Sequence, residues 1–326
     1  MSENLEAELE RVIGAGVRYI LEHQLASGCW VDWELPPGQC LMWTTAYIGY
    51  KLSGLPENLL KETLFARKKA AQWLLVNELP GHGWGYNGTV GVDADSTAHA
   101  ILFLSSVGTG LPEGSYRRLE AFQSEDGGFS TYQRCDSYGS WCVSHPEVTS
   151  MAILALLTRA ECSQQTMAIN RGVDYIVEQR TQSGLWNSFW WETPLYGTNT
   201  CLALLNAVDC MKNCANTREN LLLTAPNNEF EAALLLSASM RVTADIEASL
   251  ALPVASALAR RLISTQRLDG SWNAVPILRV TRRDCYKPWC EADAGALYAD
   301  QNRLFTSVSV VDALAQFWCS RWDGKL

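Results

Sequence analysis

Two acidic residues two positions apart, Asp93 and Asp95, open the stretch Asp93-Ala94-Asp95-Ser96-Thr97-Ala98, which runs on into the apolar segment Ala100-Ile101-Leu102. The pattern puts both carboxyls at the start of a helix whose remaining residues belong in a core. Burying a carboxyl is costly unless it is protonated, paired or hydrogen-bonded. Burial and a second carboxylate both favour the protonated form. The pair is therefore suited to acid chemistry. A carboxylate left behind after proton transfer would sit at a helix N-terminus, where free N–H groups and the helix dipole stabilise an anion. The plain alternative is that Asp93 and Asp95 only cap the helix.

The elements that must hold this pair come from a repeat. Leu5, Leu9, Val12, Ile13, Val17, Ile20 and Leu21 recur at helical spacing. That helix stops at Ser27-Gly28, where glycine supplies a left-handed cap. A turn with Gln24, Gly28 and Trp30 follows, and a second helix begins near Thr44-Thr45. The unit returns. Pro80 to Tyr86 leads to Ser96-Thr97, and Gln123 to Phe129 leads to Thr149-Ser150. Gln182 to Trp186 leads to Thr198-Asn199-Thr200, and Gln266 to Trp272 leads to Thr306-Ser307. A degenerate copy lies around Asn227 to Phe230, followed by Glu231-Ala232-Ala233-Leu234-Leu235.

Repeats of this length imply a stack or ring of supersecondary units. The second helix of each pair opens with Thr or Ser, expected to cap it, and is apolar on most sides, hence buried. The first helices are amphipathic. The expected fold is all-α: a single α/α toroid of six helical hairpins, with an inner and an outer ring, spanning 1–326 as one domain. No strand-rich segment and no low-complexity linker competes with that reading.

Composition narrows the function. The chain has 326 residues and a net charge of −9, which argues against a nucleic-acid partner. Its 11 cysteines contain no CxxC pair, the nearest being Cys210/Cys214 and Cys285/Cys290, and none of the four histidines lies beyond His145. That set does not suggest zinc. Met1–Glu10 is polar and acidic rather than a secretory leader, so the thiols are expected reduced and the protein cytoplasmic. No apolar run reaches the ~20 residues of a membrane span; peripheral membrane contact stays open.

The Gln-x-x-x-Gly-x-Trp and Gln-x-x-Asp-Gly-x-Trp/Phe turns resemble the QW repeats of squalene–hopene and oxidosqualene cyclases. Asp93-Ala94-Asp95-Ser96-Thr97-Ala98 resembles the Asp-x-Asp-Asp-Thr-Ala signature of class II terpene cyclases, and Trp43-Thr44-Thr45-Ala46 resembles their Trp-Asp-Thr-Ala segment. The resemblance runs along the whole chain. With room for one barrel, the chain is similar to monodomain meroterpenoid cyclases of the merosterolic acid synthase type. Ser96 replaces the third acid of the signature. Where the larger cyclases read Asp-Val-Thr-Ala-His in the next repeat, this chain reads Glu147-Val148-Thr149-Ser150-Met151, so Met151 replaces the histidine beside the acid. Glu147, His145 or a water is left to orient the acidic proton.

The resemblance implies that Asp95, the middle acid, protonates an alkene or epoxide of a linear prenyl chain, with Asp93 as its neighbour. Carbocations need electron-rich walls without nucleophiles, and aromatic rings supply them. Aligning the inner helices on Thr45, Thr97, Thr200 and Thr306 puts Trp43 at the ring position of Asp95, Phe305 close to it and Tyr196 just upstream. Trp141, Trp191 and Trp289 fall in long turns expected at the barrel mouth. Trp30, Trp84, Trp186 and Trp272 belong to the turns and are read as structural. Arg279, Arg282, Arg283 and Lys287 form a basic cluster near Tyr286 and Trp289. It is either a solvated loop face or a grip on an anionic head group, a carboxylate or diphosphate. The implied partner is an isoprenoid or prenylated aromatic small molecule. Protonation needs no cofactor; magnesium enters only if the head group is a diphosphate. No strong base for the final deprotonation stands out.

Three other readings share parts of this pattern. A protein prenyltransferase-like zinc enzyme would use the same toroid but needs an Asp-x-Cys pair and a later histidine. A carbohydrate-active α/α barrel would need paired carboxylates, for which Glu125 and Asp126 are the candidates. A non-catalytic toroid that binds an isoprenoid would use Asp93 and Asp95 as caps alone.

Overall fold

Amphipathic and wholly apolar helices alternate along the chain, and that alternation sorts them into two rings. The structure, a computed structural model, describes residues 3–159, 163–211, 214–242 and 248–322. The remaining positions, including both ends of the expected 1–326 domain, lie outside the described residues. Twelve α-helices form six hairpins among the described residues. They are α1 (Glu3–Glu22) with α2 (Met42–Lys51), α3 (Glu57–Val76) with α4 (Ala94–Ser106), and α5 (Glu113–Glu120) with α6 (Pro146–Leu156). Then follow α7 (Ser163–Glu178) with α8 (Pro194–Ala207), α9 (Ala215–Leu223) with α10 (Glu229–Val242), and α11 (Ala248–Ser264) with α12 (Leu304–Trp322).

The even-numbered helices form the inner ring. Each packs on the next, and α12 packs back on α2, so the ring closes. The odd-numbered helices lie outside. Helix α1 shows why: Leu9, Val12, Ile13, Val17 and Ile20 are fully buried, while Glu8, Glu10, Arg11 and Arg18 face solvent. The all-α toroid of six hairpins expected from the repeats is the observed fold.

The repeated turns join the two rings. The indole N–H of Trp30, Trp84, Trp186 and Trp272 donates to the carbonyl ten residues earlier, at the end of the preceding outer helix. Gln24, Gln123 and Gln266 each donate to the carbonyl of their own turn glycine and to the next outer helix, at Ala66, Ala168 and Val12 respectively. The last of these ties the α11 turn to α1 and closes the outer ring. Gly127 must be glycine: its φ is +87°, and a Cβ there would lie 2.5 Å from the Arg171 carbonyl oxygen.

Four details depart from the sequence reading. The Thr and Ser residues of the inner helices are not caps. Thr45, Thr97, Thr149, Thr198 and Ser307 sit inside the first turn and accept the backbone N–H of the turn aromatics Trp30, Trp84, Phe129, Trp186 and Trp272. They lock each inner helix to its turn. The equivalent positions are consequently Thr198 and Ser307, not Thr200 and Thr306. Gln182 does not play the glutamine role either: Arg180 stands six residues before Trp186 and lies over its ring at 4.8 Å. Finally, two small hairpins occur, β1 (Glu34–Leu35) with β2 (Gly38–Gln39) and β3 (Leu278–Thr281) with β4 (Gly295–Tyr298). They lie in the long connections, where pairing within the loop satisfies backbone groups that no helix covers.

Candidate active site

The Thr and Ser locks give five of the six inner helices one register, and that register builds the site. The residue two before each lock is Trp43, Asp95, Glu147, Tyr196 or Phe305, and Phe230 occupies the same place near the start of α10. The six form one layer across the barrel axis, four aromatics and two acids. Phe305 stacks on Trp43 at 5.3 Å and lies 5.4 Å from Phe230. Trp191, from the turn before α8, closes the layer from above. It stacks on Tyr196 at 4.1 Å and on Phe305 at 5.0 Å. Trp33 and Tyr47 complete the cluster against Phe305.

Above the layer lies a cavity of about 620 Å³. Asp95, Trp43 and Trp191 line its floor. Tyr132, Tyr138, Trp141 and Trp190 line its walls, with Arg279 and Arg283 on one side. The Trp141 indole is fixed by a 2.7 Å bond to the Thr281 carbonyl of β3. The Trp190 indole is fixed by a 2.8 Å bond to Thr131.

The two aspartates differ. Asp93 is the N-cap of α4: its carboxylate accepts the Ser96 N–H and the Ser96 hydroxyl, both at 2.7 Å. Ser96 thus serves the Asp93 carboxyl through both its N–H and its hydroxyl. Burial pushes Asp93 up to about 7 against the pull of the Ser96 N–H, and the Asp95 charge adds to the rise. Asp95 leaves 22% of its side chain exposed to the cavity. His99, one turn further along α4, places Nδ1 at 2.9 Å from the Asp95 carbonyl oxygen and 3.3 Å from Oδ1.

That histidine answers the Met151 substitution. The imidazole beside the acid comes from the acid's own helix rather than from the next hairpin. The sequence signal was present as an i, i+4 pair. Met151 lies one turn below Glu147 and lines a different cavity. His145 is not beside Asp95: it stacks on Phe189 at 3.8 Å, and burial lowers it to about 3. Glu147 Oε1 accepts the Phe189 N–H at 2.6 Å and the Trp190 N–H at 3.0 Å, which holds the turn carrying the aromatic wall. Burial raises Glu147 to about 7.

The basic cluster divides. Arg279 is buried and ion-paired with Glu192. Arg283 lies over Tyr138 and Trp141, at 5.6 and 5.0 Å, and bonds the Ser137 carbonyl. Among the described residues it has no carboxylate partner. Arg282 points away, among Asp284, Glu291 and Asp293, and does not line the cavity. Trp289 also misses it: 44% exposed, it lines a separate cavity of about 470 Å³ that shares Trp191 and Arg279 with the first. Beyond β3 the chain faces solvent at Arg282 and at the exposed turn that carries Trp289, while Arg283 between them turns back over Tyr138 and Trp141. Tyr86, Tyr132, Tyr138 and Trp190 were not anticipated, since each sits in a connection whose path no periodicity reveals.

Glu125 and Asp126 are exposed in their turn, where Asp126 accepts the Gly128 N–H and the Ser144 hydroxyl. Among the described residues no three His, Cys, Asp or Glu side chains converge as a metal-ligand set. No helix of the described residues is long and apolar enough to cross a membrane.

Fold and layer together define an α/α toroid with an acid at the floor of an aromatic cavity. Known structures of the same shape include the type II terpene cyclase MstE from Scytonema. A variant of it, in complex with the substrate geranylgeranyl dihydroxybenzoate, superposes with a TM-score of 0.83 at 21% identity, over 98% of this chain and 99% of that one. A protein from Actinoplanes matches with a TM-score of 0.81 at 24% identity, over 94% and 98% of the two chains. The ent-copalyl diphosphate synthase from Streptomyces platensis matches with a TM-score of 0.60 at 15% identity, over 83% of this chain and 49% of that one. No family model and no curated protein matches the sequence.

Proposed function

We propose that the protein is a class II terpene cyclase that folds a prenylated aromatic acid into rings by proton-initiated carbocation chemistry. The carrying observation is Asp95: a half-buried carboxyl at the floor of a 620 Å³ aromatic cavity, with His99 behind it and Asp93 held beside it. An alkene is a very weak base. A donor in a low-dielectric site, with its proton oriented, is what its protonation requires. Asp95 gives its proton to the terminal alkene or epoxide. The cation forms against Trp43 and Trp191, with Tyr196, Phe230 and Phe305 beneath, and each ring face contributes up to ~2 kcal/mol when desolvated. Loss of a proton from the last cation leaves a product of the substrate's mass.

The far wall favours an aromatic carboxylate over a diphosphate. Tyr132, Tyr138 and Trp141 offer flat faces, and Arg283 is one cation above them. Arg279 is already neutralised by Glu192. A diphosphate would call for more charge than one free arginine supplies. The substrate bound by MstE has the favoured chemistry. On this reading protonation needs no cofactor, and magnesium enters only with a diphosphate. The scattered spacing of the 11 cysteines is what supports a reducing, cytoplasmic compartment on this reading.

The test is product analysis by mass spectrometry. Wild type and Asp95→Asn are incubated with geranylgeranyl dihydroxybenzoate and with farnesyl and geranylgeranyl diphosphates. A product of unchanged mass and new retention, made by wild type alone, is expected from the benzoate. Loss of diphosphate would mean ionisation chemistry. Equal product from Asp95→Asn would remove Asp95 from its role.

A further inference from the structure

A second cavity, of about 400 Å³, lies on the other side of the aromatic layer. Its ceiling is the next turn of the inner helices: Tyr47, His99, Met151, Thr200 and Leu234 line it, four residues after Trp43, Asp95, Glu147, Tyr196 and Phe230. Its far end is polar. Lys51 Nζ meets Asp312 at 2.7 Å, and Arg241 is held by Asn199 at 2.7 Å and Gln316 at 3.2 Å. Gly54 and Ser106 on its rim are exposed, so it opens to solvent. The inner helices all run in one direction, and their C-terminal ends converge here. Their partial negative charge attracts cations, protons included.

The two cavities meet at few polar points. Of the five ceiling residues, only His99 carries an imidazole, whose two ring nitrogens can accept a proton on one side and donate on the other. Tyr47 bonds Ser309 and is pushed far up by burial. Met151, Thr200 and Leu234 carry no titratable group. His99 is also the ceiling residue in contact with the acid. Each turnover takes one proton from Asp95, while the substrate cavity must exclude water for the cation to survive.

We propose that Asp95 is reloaded from the second cavity through His99, so that the proton enters on the face opposite the substrate. The inference rests on the cyclase reading above. A proton from cavity water joins Nε2 of His99, and the Nδ1 proton passes to Oδ1 of the ionised Asp95. The ring, now protonated at Nε2 alone, turns toward the second cavity, takes a proton from water at Nδ1, returns the Nε2 proton to water and swings back, which restores the first tautomer with no net proton change. The proton imported equals the one released by the final cation. The charged and titratable groups around the relay are Tyr47 and Lys51 from α2, Asp93 and Asp95 from the start of α4, Glu147 from α6, Tyr196 from α8, Arg241 from α10 and Asp312 from α12.

The test plugs the second cavity without touching the acid or its histidine. Ala203 lines the cavity, and Ala203→Trp fills it; Ala203→Leu plugs it with a smaller side chain should the larger one prevent folding. In rapid-quench assays the first turnover is expected at the wild-type rate and later turnovers about tenfold or more slower. This appears as a burst of one product per site. An unchanged steady state, or a first turnover slowed as much as the rest, overturns the proposal. A second readout needs no substrate. The chain has four histidines, so their ring nitrogens can be assigned by ¹⁵N NMR. Exchange of the His99 ring proton with solvent is expected to slow in the plugged variant, and unchanged exchange overturns the relay. Absence of turnover by wild type, with His99 exchange slowed as expected in the plugged variant, counts against the cyclase reading and not against the route.

Discussion

On the cyclase reading proposed above, Asp95, Arg283 and the buried acids Asp93 and Glu147 each make a distinct prediction. Asp95→Asn keeps the shape of the side chain and removes the acidic proton, so turnover should fall about a thousandfold or more while the melting temperature holds. Arg283→Gln should raise KM for an anionic substrate and leave kcat nearly unchanged, because the grip is the same in ground and transition states. Burial holds Asp93 and Glu147 at about 7. Ionisation of either beside Asp95 makes Asp95 a poorer donor. Turnover should therefore fall as pH rises through about 7, and Asp93→Asn should flatten that limb. Stability follows the same sign. The native state retains protons that the unfolded chain has released, so the melting temperature should decline between the ordinary carboxyl range and pH 7. The acid pair was legible in the sequence because an acidic pair before an apolar helix is costly unless used. The contact of His99 with Asp95 was not legible from the resemblance, which places an imidazole at Met151, one hairpin away, rather than at the fourth residue after Asp95.

At the scale of the elements, the joint between turn and inner helix carries the architecture. Thr97 both accepts the Trp84 N–H and donates to the Trp84 carbonyl, at 3.1 Å each. Thr97→Val keeps the shape and loses both bonds, and should cost about 1–3 kcal/mol in denaturant unfolding. Trp84 is fully buried; Trp84→Ala should cost about 3–5 kcal/mol. The hairpins, the two rings and the glycine turns could be read from periodicity, since 3.6-residue spacing and turn residues are local signals. Register could not. Several inner helices offer two hydroxyl residues near their start, and only the bond to the turn picks Thr198 over Thr200. The same limit hid which residues of the β3–β4 connection face the axis, so Arg283 reaches the cavity while its neighbour Arg282 and Trp289 do not.

The whole molecule is a closed ring rather than an open stack. Outer α1 packs on α12, and the Gln266 side chain bonds Val12 across the closure. An open array of repeats unfolds piecemeal; a closed one has no terminal repeat from which to fray. Calorimetry should therefore give a van't Hoff enthalpy equal to the calorimetric one. An excess of calorimetric over van't Hoff enthalpy would show hairpins melting independently. The layer of Trp43, Asp95, Glu147, Tyr196, Phe230 and Phe305 has its own consequence. Six equivalent stations surround one axis at one height, each filled by a single codon. Exchanging the occupants of two stations moves the proton source around the dial relative to the electron-rich faces, while the frame that holds them is unaltered. Such a ring could change its product by rotation of roles, without any change of scaffold.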